Sequence, residues 1–416
     1  TVLAFADGAA DVILPWTDDL PDTFSEAYAE NLLGCLPELF WELPGGRVST
    51  VRYHYHDHIA ERFTRSFADQ VGEWCRSHGI MLSGHMMEEP TLESQTKALG
   101  EAMRSLRGFD LPGIDMLCNR HEYTTAKQAQ SAANQHGNPG VMSELYGVTN
   151  WDYDFRGHKL QGDWQAALGV TVRVPHLTWI SMAGEAKRDY PAAIGHQSPW
   201  HLQYPYIEDH FARVNVAMTR GRPLVRVAVV HPVESYWLHF GSNERTRLLR
   251  EQLDRDFLAL TEWLLFGQID FDFLSESLLP GQCPAGGSPL QVGKMAYDTV
   301  VVPPVETLRS TTLERLEAFA AQGGRLLFLG EAPTLCDARP SDRGQSLWSR
   351  SKRLPCQRLA LLEALEPCRD IDVRDNDGSR AEDLLYRMRQ EEDGTRWLFL
   401  AHGKDPDQPD IVHPRI

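Results

Sequence analysis

Short apolar runs alternate with amphipathic stretches from the first residue to about residue 220, the rhythm of βα units laid on a parallel sheet. Five units can be counted. The first strand covers 2–5 and ends at Asp7. Ile59, Phe63, Phe67, Val71 and Trp74 then recur at helical spacing and predict a long helix over 53–78, stopped by Gly79. A second strand over 80–82 leads into Gly84-His85-Met86-Met87-Glu88-Glu89, with a helix over 92–106 behind it. The strand over 114–117 precedes a helix over 125–136. The strand over 141–142 runs into Ser143-Glu144-Leu145-Tyr146-Gly147 and a helix over 159–168. The fifth strand, 170–174, ends at His176-Leu177-Thr178-Trp179.

After Gly221 the pattern changes. The run over 224–230, apolar but for Arg226, reads as a strand buried on both faces. A helix over 244–266 and strands over 269–274, 299–302 and 325–329 follow, with a helix over 312–322 halted by Gly323-Gly324. From 340 the periodicity loosens, and 384–400 reads as a hairpin around Asp393-Gly394. The predicted fold class is α/β. A (β/α)8-type barrel lacking its first strands is expected over 1–221, because five units do not close eight strands. A flavodoxin-like α/β domain is expected over 222–340, and an irregular segment with a hairpin leading toward a β-sandwich over 341–416.

Composition narrows the chemistry. Against 58 acidic side chains stand 41 basic ones, a net charge of −17 with no basic block, which disfavours nucleic acid as a partner. No apolar run reaches the roughly 18–20 residues of a membrane span. The seven cysteines are scattered and never in Cys-x-x-Cys spacing, which argues against a disulfide framework and a cysteine zinc site and fits a cytoplasmic location, or a secreted one if a leader has been removed. His54, His56 and His58 alternate, but on a helix only the first and last share a face, so metal binding there is disfavoured. Phosphate loops, dinucleotide loops and Gly-x-Ser-x-Gly elbows are missing, which leaves the second domain a structural or homo-oligomer-forming role.

The residues that stand out are carboxylates at successive strand ends: Asp7, Glu89 with Glu88 beside it, Asp115 and Glu144. Glycosidic hydrolysis needs one carboxyl as proton donor and a second as base or nucleophile, on opposite sides of the anomeric carbon. Ends of different strands on one barrel face can supply that arrangement, and neighbours on one strand cannot. His85 and His176 are candidate hydroxyl-binding groups. Trp151, Tyr153, Trp179, Trp200, Tyr204 and Tyr206 follow the fourth and fifth strands and are expected to line a sugar pocket, and Lys187 and Arg188 beside them read either as a substrate clamp or as a surface loop closed by a salt bridge.

Leu14-Pro15-Trp16-Thr17, Trp74-Cys75-Arg76-Ser77-His78-Gly79, Gly84-His85-Met86-Met87-Glu88-Glu89, Pro112-Gly113-Ile114-Asp115, Lys127-Gln128, Ser143-Glu144-Leu145-Tyr146-Gly147, Gly162-Asp163-Trp164-Gln165 and Lys187-Arg188-Asp189-Tyr190-Pro191 together resemble the α-L-rhamnosidase-like glycoside hydrolases of family 106 over roughly residues 1–240. The resemblance implies a (β/α)8 barrel, then an α/β domain and β-sandwich modules, and calcium-dependent removal of terminal rhamnose with inversion. It matches Glu144 to the glutamate ending the seventh barrel strand and Glu89 to the one on the fifth. His85 and Asp115 match pocket positions, and Asp7 the aspartate of a strand-four motif usually Phe-Thr-Asp-Glu-Pro. Here that motif is Phe5-Ala6-Asp7-Gly8-Ala9, with a glycine that has no proton to donate. The catalytic set expected is therefore Glu144, Glu89 and Asp7. The alternatives are a non-catalytic carbohydrate-binding relative and a β-galactosidase-like glycosidase.

Overall fold

A computed structural model describes residues 13–185, 194–241 and 243–406. The expected first strand, together with Asp7, Lys187 and Arg188, lies outside the described residues. Helix α1 (Leu20–Tyr28) buries Leu20 and Phe24. Helix α2 (Thr50–Thr64) begins three residues earlier than its periodicity predicts, because Ser49 Oγ accepts the backbone N–H of Arg52 and caps it. It passes through a π turn at Arg65–Asp69 into α3 (Gln70–Ser77). Strand β1 (Ser83–His85) lies just beyond the expected 80–82. Ile80 and Met81 are exposed instead, and Asp110 Oδ2 accepts the Leu82 N–H at 2.9 Å where the strand is about to start.

The helix expected over 92–106 is two helices, α4 (Leu92–Ala98) and α5 (Ala102–Leu106). Gly100 breaks it with φ +86°, at a point where an added Cβ would lie 2.6 Å from the Ala60 Cβ. Then come β2 (Leu111–Met116), α6 (Tyr123–His136), β3 (Val141–Leu145), α7 (Phe155–Ala167), β4 (Val170–Pro175) and α8 (Pro205–Met218). The last helix has no counterpart in the expected elements.

The second half contains β5 (Arg222–Pro223), β6 (Val227–Val230), α9 (Asn243–Leu265), β7 (Phe271–Leu274), β8 (Thr299–Val302), α10 (Ser310–Ala321), β9 (Arg325–Leu329), β10 (Lys352–Leu354) and α11 (Arg358–Leu365). The chain then forms the hairpin β11 (Leu384–Gln390) and β12 (Arg396–His402). Strands β6 to β10 make a parallel sheet in the order β10-β9-β8-β6-β7, which is 2-1-3-4-5 numbered within the unit. Its fifth strand lies past residue 340, in the stretch whose sequence pattern is loose.

Strands β1 to β4 form a second parallel sheet in sequential order, and among the described residues it is open rather than closed into a barrel. One face of it is sealed: Ile114, Met116, Ser143 and Leu145 are buried under helices. On the other face Val172 and Val174 remain exposed. Helix α6 packs between this sheet and β7, and a single apolar core joins the two halves. The β11–β12 hairpin lies on α7 and α8, with Trp397 and Phe399 against Ala166, Val214 and Met218. No described helix is long and apolar enough to cross a membrane.

Replacing Gly100 by Ala should destabilise the protein by about 1–3 kcal/mol, through left-handed backbone strain and the clash with Ala60. Urea unfolding would show this as a lower midpoint at unchanged slope, and a midpoint equal to that of the parent would refute it.

Candidate active site

Register sets the site. Asp115 on β2 pairs with Glu144 on β3, Glu144 pairs with Val174 on β4, and His85 on β1 pairs with Gly113 on β2. Side chains alternate along a strand, so Ile114 and Ser143 go to the sealed face while Asp115 and Glu144 emerge on the open one. His85, Asp115 and Glu144 each bring a ligand-capable atom to within 4.8 Å of the other two.

His85 Nδ1 donates to the Met86 carbonyl at 2.5 Å, which fixes the hydrogen on that nitrogen. Nε2 is thereby aimed at Glu144 Oε2, 3.3 Å away. On the other side His176 Nε2 stands 3.6 Å from Glu144 Oε1. His176 can come this near because residue 147 is glycine: a Cβ there would lie 2.9 Å from the imidazole ring. Asp115 Oδ1 is buried with no hydrogen-bond partner among the described residues. Burial and then the neighbouring Glu144 hold the Asp115 carboxyl above its ordinary range, while His85 and His176 pull the other way.

Glu89 sits in the loop after β1. Glu88 beside it has φ +62° and is exposed, which leaves Glu89 as the member of the pair that turns inward and is buried. Burial pushes its carboxyl up to about 7; Glu122 and Asp115 add to the rise, and its own backbone N–H and His85 oppose it. Glu89 and Glu144 therefore share His85 and Asp115 as electrostatic neighbours. Met86 is buried beside this loop whereas Met87 is exposed.

The loop is pinned from α4 and α6. Gln95 Nε2 and Gln128 Nε2 donate to the Glu89 carbonyl at 3.1 and 2.9 Å, and Thr124 Oγ1 donates to the Pro90 carbonyl at 2.7 Å. Gln95, Gln128 and the acidic neighbour Glu122 are absent from the sequence-based site. Of these only Gln128 carries a signal in the sequence, as part of the Lys127-Gln128 motif, and that motif does not disclose a backbone-anchoring role.

The aromatic residues divide into separate groups. Trp151 and Trp179, in the loops after β3 and β4, lie 6.4 Å apart at the same sheet end as the carboxyls. Tyr153 packs on Tyr146 and donates to Asn119 Oδ1. Tyr204 is buried near Phe155 and His158, Trp200 also meets Phe155, and Tyr206 projects into solvent. The three alternating histidines go separate ways: His54 to Glu30, His58 to Thr23, and His56 against Trp237, where burial and then Arg52 push its imidazole down to about 3.

An open α/β arrangement with an acidic cluster at the C-terminal ends of parallel strands is the frame on which known proteins can be compared. No family model matches the chain, and no curated protein does. Solved structures do match. A rhamnosidase from Novosphingobium sp. PP1Y is 16% identical with a TM-score of 0.62, over 91% of this chain and 38% of that one. The exo-carrageenase GH42 from Bacteroides ovatus is 12% identical with a TM-score of 0.55, over 91% and 54%. A β-galactosidase from Rahnella sp. R3 is 14% identical with a TM-score of 0.52, over 80% and 53%. These likenesses show a shared α/β fold. The chain spans between about two fifths and a little over half the length of these three structures.

A carboxyl raised to about 7 stabilises the folded state most when protonated, so its contribution is full below about pH 4.5 and is lost as pH rises through 7. Glu89→Gln mimics the protonated form. The variant should match the parent in stability at pH 4 and exceed it by up to about 3 kcal/mol at pH 8, measured by denaturant titration. Equal stability at both pH values would refute the assignment.

Proposed function

We propose that the chain is a glycoside hydrolase that releases a terminal sugar by carboxyl acid/base catalysis. The observation that carries this reading is the convergence of carboxyls following three successive strands, Glu89, Asp115 and Glu144, around His85 on an open sheet face. Glu89, buried and protonated near neutral pH, is the donor to the leaving oxygen. Glu144, set between two imidazoles, is the base that takes a proton from the attacking water. Asp115, His85 and His176 hold ring hydroxyls, and Trp151 with Trp179 offers an apolar surface to the ring. Asp7, Lys187 and Arg188 belong to this proposal on the sequence alone.

The sugar proposed is α-L-rhamnose, on the ordered motifs that resemble family 106. A fold-level likeness to a rhamnosidase supports it. A β-galactoside is the second reading, favoured by the likeness to the Rahnella sp. R3 β-galactosidase. The strand order of the second sheet supports a flavodoxin-like domain beside a barrel-type one. Calcium, the ion implied by the resemblance, takes roughly six to eight oxygen ligands. The described residues that converge here place an imidazole nitrogen between two carboxyl groups, a set suited to ions that accept nitrogen. The donor set does not fit calcium, and no step is assigned to it.

Glu144→Gln and Glu89→Gln should each lower turnover of aryl α-L-rhamnosides by about 10²–10⁴-fold. The two losses should differ in kind. Glu89→Gln should recover with a highly activated aryl leaving group that needs no proton, and Glu144→Gln should not. A parallel panel of aryl β-galactosides separates the two sugars. Unchanged turnover in both variants overturns the proposal, and sugar binding without hydrolysis in the parent establishes the non-catalytic alternative.

A further inference from the structure

Away from the acidic cluster, a small cavity of about 40 Å³ lies where α6, the loop leading into β3, β5 and β11 meet. That is room for a few waters or one small ion. Gln130, Asn134, Gly140, Gly169, Arg387 and Arg389 are among its walls. Arg387 and Arg389 stand two residues apart on β11 and so share a strand face. Their situations differ. Arg389 donates from Nε to the Arg220 carbonyl at 2.6 Å and from Nη2 to the Gly221 carbonyl at 2.7 Å. Arg387 is 3% exposed, and its Nε and Nη1 are buried with no hydrogen-bond partner among the described residues.

A buried guanidinium without a partner costs several kcal/mol, so a counter-charge is required. Among the described residues no carboxylate pairs with it directly, and Asp270 and Asp272 favour its charge only from a distance. Asp270 is engaged by Lys127 Nζ at 2.8 Å. Asp272 takes hydrogen bonds from Asn134 and Tyr297, and burial pushes it up to about 7. Counting Lys127, Arg387 and Arg389 against Asp270 and Asp272 leaves one positive charge over even when both acids are ionised. Burial, then Arg389, push Arg387 down to about 9, which keeps it charged at neutral pH.

Gln130 adds a neutral donor. Its Oε1 accepts from Lys127 Nζ at 2.6 Å, so the donor end of the amide is the end not engaged by Lys127. Next to this cavity, on the far side of Pro223, a wider cleft of about 500 Å³ is rimmed by Arg222, Arg226, Lys294 and Arg396. Among the described residues Arg226 alone of the four forms an ion pair, with Asp298, and Asp370 also lines the cleft near Arg226 and Arg396, so four cations face two acids. In a chain of net charge −17, this local excess of cations would draw anions toward the smaller cavity.

We propose that the cavity beside Arg387 binds a small monovalent inorganic anion of halide size, which serves as the counter-ion of Arg387 and ties α6 to β11. The site is separate from the acidic cluster and does not depend on the glycosidase reading.

The test uses the whole chain at constant ionic strength, with gluconate replaced stepwise by chloride or bromide. Thermal unfolding of the parent should shift upward saturably, by roughly 2–5 °C at a halide concentration about 100 times its dissociation constant. Arg387→Met should abolish the halide response, whereas Arg396→Met, altered in the open cleft, should keep it. Crystals grown in bromide should show an anomalous peak within hydrogen-bond reach of Arg387. That peak decides the matter if Arg387→Met does not fold. Equal responses in the parent and Arg387→Met, or a cavity filled only by water in bromide-grown crystals, would overturn the proposal.

Discussion

Helix α6 is buried over nearly its whole length and is mostly polar, and that combination constrains everything around it. Lys127, Gln128, Gln130, Ser131, Asn134 and Gln135 are all shut away from solvent, so each needs a partner in a fixed place. Five of the six reach out of the helix to do this. Lys127 meets Asp270, Asn134 meets Asp272, and Ser131 Oγ and Gln135 Nε2 bond the backbone of Phe273, so four tie α6 to the β7 region. Gln128 turns toward the site and holds the Glu89 carbonyl. An apolar α6 would pack equally well in several rotations, whereas this one has a single orientation in which the bonds close. Helix α6 therefore helps set how the two sheets and the acid loop lie relative to one another, together with bonds such as Leu92 N–H to Asp254 and Trp237 Nε1 to the Gly100 carbonyl.

The site itself is a consequence of strand alternation. A one-residue slip of β2 against β3 would carry Asp115 under the helices and bring Ile114 to the open face while Glu144 stayed on it, splitting the pair. The helix side prevents that slip. Ile114, Met116 and Leu145 are buried there, and Ser143 Oγ donates to Gln165 Oε1 at 2.5 Å on α7. Carboxyl placement is thus held by apolar burial on the opposite face, with no acidic residue needing to stabilise itself. Glycines complete the arrangement where a side chain would intrude, as Gly147 does beside His176.

Periodicity made the parallel strands legible because continuous apolar runs such as 227–230 and strand-end acids such as Glu144 are local signals. The breaks were harder to read. The interruption at Gly100 arises from contact with Ala60, forty residues away, and nothing in the sequence near Gly100 records it. Strand β10 is only three residues long and half-exposed to exposed, so it lacks an apolar pattern. In the site, strand-end carboxyls and histidines could be picked out by type and position. Gln95 and Gln128 could not, because an anchoring amide looks the same in sequence as a surface one. The aromatic group is continuous along the chain but not in space: Trp151 and Trp179 meet at the sheet end, Tyr153 and Tyr204 both pack on His158, and Tyr206 projects into solvent.

Graded burial is what separates chemical tasks within one acidic cluster. Glu89 is nearly enclosed, and its carboxyl is driven toward neutrality by lost solvation more than by any neighbouring charge. Asp115 is half-buried, and burial again leads its rise, with Glu144 second. Glu144 is more open and has an imidazole on each side. Had all three been equally exposed, mutual repulsion alone would have had to distinguish them, and water would have screened most of it. Placing one acid in a loop pinned by amides, and two on adjacent strands facing outward, gives each a different solvent environment. That difference is built by α4 and α6, not by the acids, so the protonation pattern of the cluster depends on the fit of a polar helix several residues away from it.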